Sequence, residues 1–177
     1  MEIKRKQPLG IELVRRGVVN GDAIEKALQY QTEHPNRRLG DILYILKEAE
    51  PNELAEEIGD IIGVKGIYLT DGKIKIEIND KKNIYLNGDV NDKKYVKELI
   101  FDLLEKEYGV SETNISKAIP FDIESGKIKI AFADIANNQD NIKSVKMLVL
   151  NKGLVMEPYI TFAQQIEKIL KSLDGEV

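Results

Sequence analysis

A glycine in the first turn of a helix leaves backbone N–H groups uncovered, and grouped N–H donors are what a phosphate binds. The sequence places such a glycine twice. Leu9-Gly10 opens "PLGIELVRRG" and Leu39-Gly40 opens "RLGDILYILK", an offset of 30. Leu13 and Leu43 follow at the same offset, as do Ile24 with Leu54 and Leu28 with Ile58. Glycine near a helix start costs stability unless backbone must come close to something, either a neighbouring helix or a ligand. Two such starts related by a pseudo-twofold could present N–H groups to two phosphates, and a twofold-symmetric dinucleotide would match them.

Other chemistry is sparse. There is no cysteine, which removes disulfides, thiolate nucleophiles and cysteine-ligated metals together and fits a reducing cytoplasm. The single histidine, His34, stands beside Pro35 in an expected surface loop. A triad or a zinc site would need partners for it that the chain lacks, so no metal is expected. Neither G-x-x-x-x-G-K-[ST] nor G-x-G-x-x-G occurs. Acidic residues are plentiful, but they lie among lysines at helical spacing, as solvated faces do. A carboxylate pair for acid–base work stays as a third hypothesis, with nothing to single out a pair. The formal net charge of −4 speaks against a nucleic-acid polymer as partner. No apolar run approaches the roughly 20 residues that cross a bilayer, and the basic "MEIKRKQPLG" has no hydrophobic stretch after it, so it is not read as a secretory signal.

The elements that position these residues follow from spacing. Residues 8 to 63 predict four short helices. Leu9, Leu13 and Val14 mark a narrow stripe on the first, ended by Gly17. Asn20 caps the second, which carries Ile24, Ala27, Leu28 and Gln31 and breaks at "HPN". The third starts at Arg38. Pro51 sits at the first position of the fourth, whose buried face is Leu54, Ile58, Ile61 and Ile62. "GIYLTDGKIKIEIND" predicts two strands joined at Asp71-Gly72, and "NIYLNGD" a third. From 93 onward a helix over "KKYVKELIFDLLEKEYG" precedes strand, tight turn and strand in "AIPFDIESGKIKIAFAD". A helix closed by Gly153, a strand "LVMEPYI" and a last helix capped by Thr161 complete the chain. The expected class is α+β: a helical subdomain over 1–64 made of two repeated helical hairpins (8–33 and 37–63), a β-hairpin connector or insert over 65–92, and a small α/β sandwich over 93–177. Its helices are expected to cover one face of a short sheet.

"PLGIELVRRGVVNGDAIEKALQYQ" is similar to the unit R-L-G-x-x-L-V-x-x-G-x-I-x-x-x-x-L-x-x-A-L-x-x-Q, repeated at the N-terminus of the ATPases of type II secretion and type IV pilus assembly. "RLGDILYILKEAEPNELAEEIGDI" resembles its second copy. The stretch from "AIPFDIESG" to "FAQQIEKIL" resembles the α/β half of the same domain. The resemblance covers most of the chain, apart from the insert near 66 to 92. It implies a regulatory or adaptor domain, not an enzyme. Its implied setting is cytoplasmic, at the inner face of the cell membrane, with secretion or pilus machinery proteins as partners and an ATPase domain in cis or in trans. Because the chain ends at "LDGEV", before any catalytic core, it is expected to be either a stand-alone version or a fragment.

In some pilus ATPases the doubled motif binds cyclic di-GMP. Carried onto this sequence, the ligand residues are Leu9, Gly10, Leu13, Gly17, Leu28, Gln31, Arg38, Leu39, Gly40 and Leu43. The chain departs from that pattern at three places: Pro8 stands where the first copy has arginine, Lys47 where the second copy matches Gly17, and Ile61 where it matches Gln31. Two readings lead, an interaction module of a secretion or pilus motor and a cyclic dinucleotide receptor. Arg15, Arg16, Arg37 and Arg38 are candidate contacts to an acidic partner. The helices at 93–107 and 161–173 would offer a polar face.

Overall fold

The computed structural model describes residues 8–69, 76–79, 83–86, 118–135, 139–151 and 153–173. The chain divides into two compact units, Met1–Tyr68 and Leu69–Val177.

The first unit contains α1 (Leu9–Arg15), α2 (Gly21–Glu33), α3 (Leu39–Ile45), α4 (Pro51–Ile62) and the two-residue strand β1 (Lys65–Gly66). The offset of 30 recurs in the backbone hydrogen bonds. The Glu12 N–H donates to Pro8 O at 3.2 Å, and the Ile42 N–H to Arg38 O at 3.0 Å. The Val18 N–H donates to Leu13 O at 3.0 Å, and the Glu48 N–H to Leu43 O at 3.1 Å. Asn20 Oδ1 accepts from the Ala23 N–H and Glu50 Oε2 from the Glu53 N–H, each at 2.9 Å. Each cap satisfies a donor that the first turn leaves open. Gly17 closes α1 in the left-handed region at φ 77°. Lys47 takes the same conformation after α3 at φ 56°, although it carries a Cβ. The local geometry of the repeat therefore outlasts the residue that favours it.

Packing in this unit follows the same exchange: α1 lies against α4 and α2 against α3, with α3 also against α4. Leu13, Ala27, Ile42, Leu43 and Leu54 are fully buried, with Ala23 and Ala55 beside them in the core. Val14, expected in the apolar stripe of α1, is exposed. Helix α4 and β1 approach so closely at Gly59 and Gly66 that a Cβ on Gly59 would meet the Gly66 nitrogen, and one on Gly66 the Ala55 carbonyl oxygen. Only glycine permits that approach.

In the second unit β2 (Ile76–Asn79) and β3 (Asn83–Leu86) pair antiparallel, Ile76 opposite Leu86 and Asn79 opposite Asn83. Strand β4 (Ala118–Glu124) pairs antiparallel with β5 (Lys127–Phe132), with a register shift between Pro120 and Asp122. Strand β6 (Val155–Ile160) runs parallel to β5, Lys127 opposite Val155 and Phe132 opposite Ile160. Helix α5 (Gln139–Asn151) makes the crossover that a parallel pair requires. Helix α6 (Ala163–Leu173) follows β6.

Strand alternation sorts the core. Ile128, Ile130 and Phe132 of β5 pack with Val145 and Val149 of α5, while Ile119 and Ala133 pack with Ile166 of α6. Residues i and i+2 share one face of a strand, and i+1 points to the other. The two described helices therefore cover opposite faces, where the sequence leads one to expect a single covered face. Thr161 does not cap α6: its hydroxyl donates to Gln165 Oε1 at 2.8 Å, and Gln165 clamps the backbone of Leu69. The Leu69 N–H donates to Gln165 Oε1 at 3.0 Å, and Gln165 Nε2 donates to Leu69 O at 2.8 Å. The Asp71-Gly72 turn and the helix expected over 93–107 lie outside the described residues.

Candidate ligand and docking site

The two glycines that open the repeats face side chains. A Cβ on Gly10 would stand 3.2 Å from Leu39 Cδ2 and 3.4 Å from Ile24 Cδ1, and a Cβ on Gly40 would stand 2.6 Å from Ile58 Cδ1. Close helix packing therefore accounts for both. The Gly10–Leu39 approach brings the two Leu-Gly starts together. Leu9 and Leu39 are half-buried, while Leu13 and Leu43 are core residues with no exposed surface. Gly17 is exposed, with open space where a Cβ would stand, and Leu28 is 50% exposed. These two stand apart from the packed set. Gln31 is half-buried and its Nε2 donates to the Arg37 carbonyl at 2.8 Å, one residue from Arg38.

Arg38 is already engaged. Its Nε donates to Asp41 Oδ2 at 2.8 Å, its Nη2 lies 2.8 Å from the same oxygen, and Asp41 is only 4% exposed. The pair fixes the guanidinium at the entry of α3, where the carboxylate also meets the positive end of the helix. Among the other candidate arginines, Arg15 Nη2 donates to Glu12 at 2.6 Å. Arg16 Nη1 donates to Glu57 Oε2 at 2.7 Å and to Asp60 Oδ2 at 2.6 Å, linking α1 to α4. The hydrogen bonds that Arg16 donates to Asp60 and then to Glu57 raise its pKa above the ordinary value, and the hydrogen bond accepted from Arg15 lowers that of Glu12. Arg37 has no ion pair among the described residues, so its charge is the most available of the four.

Two features were not legible in the sequence. One is the Gly59–Gly66 approach. The other is a cavity of about 310 Å³ between α2 and the end of α3, lined by Lys26, Gln29, Tyr30, Glu33, Leu46 and Glu48. None of the ten ligand candidates lines it. Lys26 Nζ and Glu48 Oε1 pair there at 3.2 Å, and Tyr30 stacks on His34 with ring centroids 4.2 Å apart. Spacing could not reveal the cavity, because its residues read as an ordinary solvated helix face. Among the described residues there is no group of carboxylates and imidazole that could hold a metal, and no helix long and apolar enough to cross a membrane.

A helical unit whose local geometry repeats at an offset of 30, followed along the chain by an α/β unit, defines a class of two-part fold. The fold is that of the N-terminal domain of type II secretion and type IV pilus assembly ATPases. A solved structure of MshE with cyclic di-GMP is similar to 97% of this chain over 99% of its own, at a TM-score of 0.53 and 16% identity. The N-terminal domain of XpsE is similar in two crystal forms, one at 13% identity and a TM-score of 0.45, the other at 18% and 0.37, each with 97% of this chain covered and with 97% and 98% of its own. No protein-family profile and no curated protein matches the sequence.

Proposed function

We propose that the chain is a non-catalytic regulatory domain that docks a secretion or pilus motor to a partner of its machinery at the cytoplasmic face of the membrane. The observation that carries this reading is the likeness to MshE, which runs from end to end of both chains. Arg37, half-buried at the α2–α3 turn and without an ion pair among the described residues, supplies a charge for an acidic partner. The purified chain should form a stoichiometric complex with the purified cytoplasmic domain of its platform protein. Arg37→Glu should weaken that complex about tenfold, the worth of one good charged contact. Absence of a complex in sedimentation at high micromolar concentrations would remove the docking reading.

A second reading is favoured by the ligand in the MshE structure. Here the chain is a cyclic di-GMP receptor, with the ligand between residues 9–17 and 38–47. Arg38 would contact it after exchanging or sharing its bond to Asp41. Calorimetry should show binding that weakens in Arg38→Ala and in Gly40→Val. Because Arg38→Ala also removes the ion-pair partner seen for the buried Asp41 carboxylate, the stability of each variant is measured beside its affinity. Pro8→Arg and Lys47→Gly restore the family pattern and should tighten binding, about tenfold for each 1.4 kcal/mol regained. A flat trace for all of them at high micromolar ligand would exclude this reading.

A further inference from the structure

The two halves of the helical unit differ at one equivalent place. Between α1 and α4, Arg16 spans the helices and its guanidinium meets Glu57 and Asp60. At the offset of 30, Leu46 stands in place of Arg16, Ala27 in place of Glu57 and Tyr30 in place of Asp60. This half, between α2 and α3, holds the cavity of about 310 Å³, and Leu46 and Tyr30 are in its lining. A leucine cannot reach across as an arginine does, so the space that one half fills with its own cation stays open in the other.

The cavity wall suits a cation. Glu33 and Glu48 contribute two carboxylates and Lys26 one ammonium. Glu33 makes no ion pair among the described residues, and Glu48 is held only by the exposed Lys26 at 3.2 Å. A guanidinium presents a planar fork that matches carboxylates bidentately, which a single ammonium cannot do, and is the less strongly hydrated cation. Tyr30 adds an aromatic ring beside the carboxylates, with one face already stacked on His34.

We infer that this cavity receives the guanidinium of an arginine presented by a partner protein, repeating between α2 and α3 the role that Arg16 plays between α1 and α4. The inference goes beyond the docking reading and does not depend on the identity of the platform partner. It is also separate from cyclic di-GMP binding, since none of the nucleotide candidates lines the cavity.

The test is an amide NMR titration of the full chain with N-acetyl-arginine amide, with N-acetyl-citrulline amide as the neutral isostere. Saturable shifts at Leu46 and Glu48 are expected with arginine and not with citrulline. Glu33→Gln, an exposed change, should lower the affinity about fivefold by removing one charged acceptor. Leu46→Arg should place the chain's own guanidinium in the cavity and abolish the saturable shifts while the remaining spectrum stays folded. Shifts that never saturate, that are equal with citrulline, or that are unchanged in Glu33→Gln would overturn the inference. Glu33→Gln keeps the test decisive should Leu46→Arg fail to fold.

Discussion

Tyr44 shows how one side chain couples packing to pH. It is half-buried near the end of α3, hydrogen-bonded to Tyr68, with the rings 5.9 Å apart and tilted by 56°. Burial first, and then the Tyr68 hydrogen bond, push its pKa up from 10.0 to about 12. The folded chain thus holds this proton more tightly than the unfolded chain does. The stabilisation is whole below pH 10 and is lost as the pH rises towards 12. Urea denaturation across that range should show stability falling in the wild type and falling less steeply in Tyr44→Phe. At neutral pH the same variant should lose about 1 kcal/mol for its hydrogen bond. Equal slopes in the two proteins would show that Tyr44 is not the titrating group. Residues whose work is local were legible from sequence for a physical reason. Asn20 caps, Pro51 opens and Gly17 closes a helix through atoms within four positions of themselves. Thr161 has a capping residue type, but the Gln165 side chain takes its hydroxyl, a tertiary competition that no local rule contains.

At the scale of elements, glycine and its replacements give a graded series. Lys47 holds a left-handed backbone that costs a side-chain-bearing residue about 1 kcal/mol. Lys47→Gly should therefore raise stability by about 0.5–1 kcal/mol, and Gly17→Lys should lower it by a similar amount. The two changes are 30 positions apart and should be opposite in sign in the same chemical denaturation series. Alanine at Gly40 meets only the mobile end of Ile58 and should cost about 1 kcal/mol. Alanine at Gly66 meets the carbonyl of Ala55, which is backbone and cannot rotate away, so α4 and β1 must part. That variant should lose about 3 kcal/mol, at the upper end for overpacking. Finding Gly66→Ala no worse than Gly40→Ala would disprove the close approach. The existence and order of the described helices could be read from apolar spacing. Their partners could not, because periodicity says which face is buried and not against what. This is why the packing of α1 on α4, and the opposite faces taken by α5 and α6, appear only in three dimensions.

At the scale of the whole molecule, the division at Tyr68 and Leu69 separates two kinds of core. The helical unit closes around Leu13, Ile42, Leu43 and Leu54, all without exposed surface, and β1 locks to α4 through Gly59 and Gly66 inside the same unit. The second unit builds its sheet from β4, β5 and β6; the antiparallel β4–β5 pair is a local hairpin, but the parallel β5–β6 pair joins residues distant in sequence, Lys127 with Val155 and Phe132 with Ile160. Local contacts fold quickly and without partners, whereas a parallel pair must wait for its crossover helix. Residues 1–68 expressed alone should therefore fold, since domains of roughly this size can close a core unaided, although with little margin. The fragment should give a helical circular-dichroism spectrum, a dispersed amide spectrum and one cooperative thermal transition. Lys47→Gly should raise its midpoint by about 4–8 °C per kcal/mol gained, the scale set for a small domain by its low unfolding entropy. A fragment with the amide dispersion of a random coil would show instead that the four helices need the rest of the chain, and the repeat could no longer be treated as a self-sufficient binding unit.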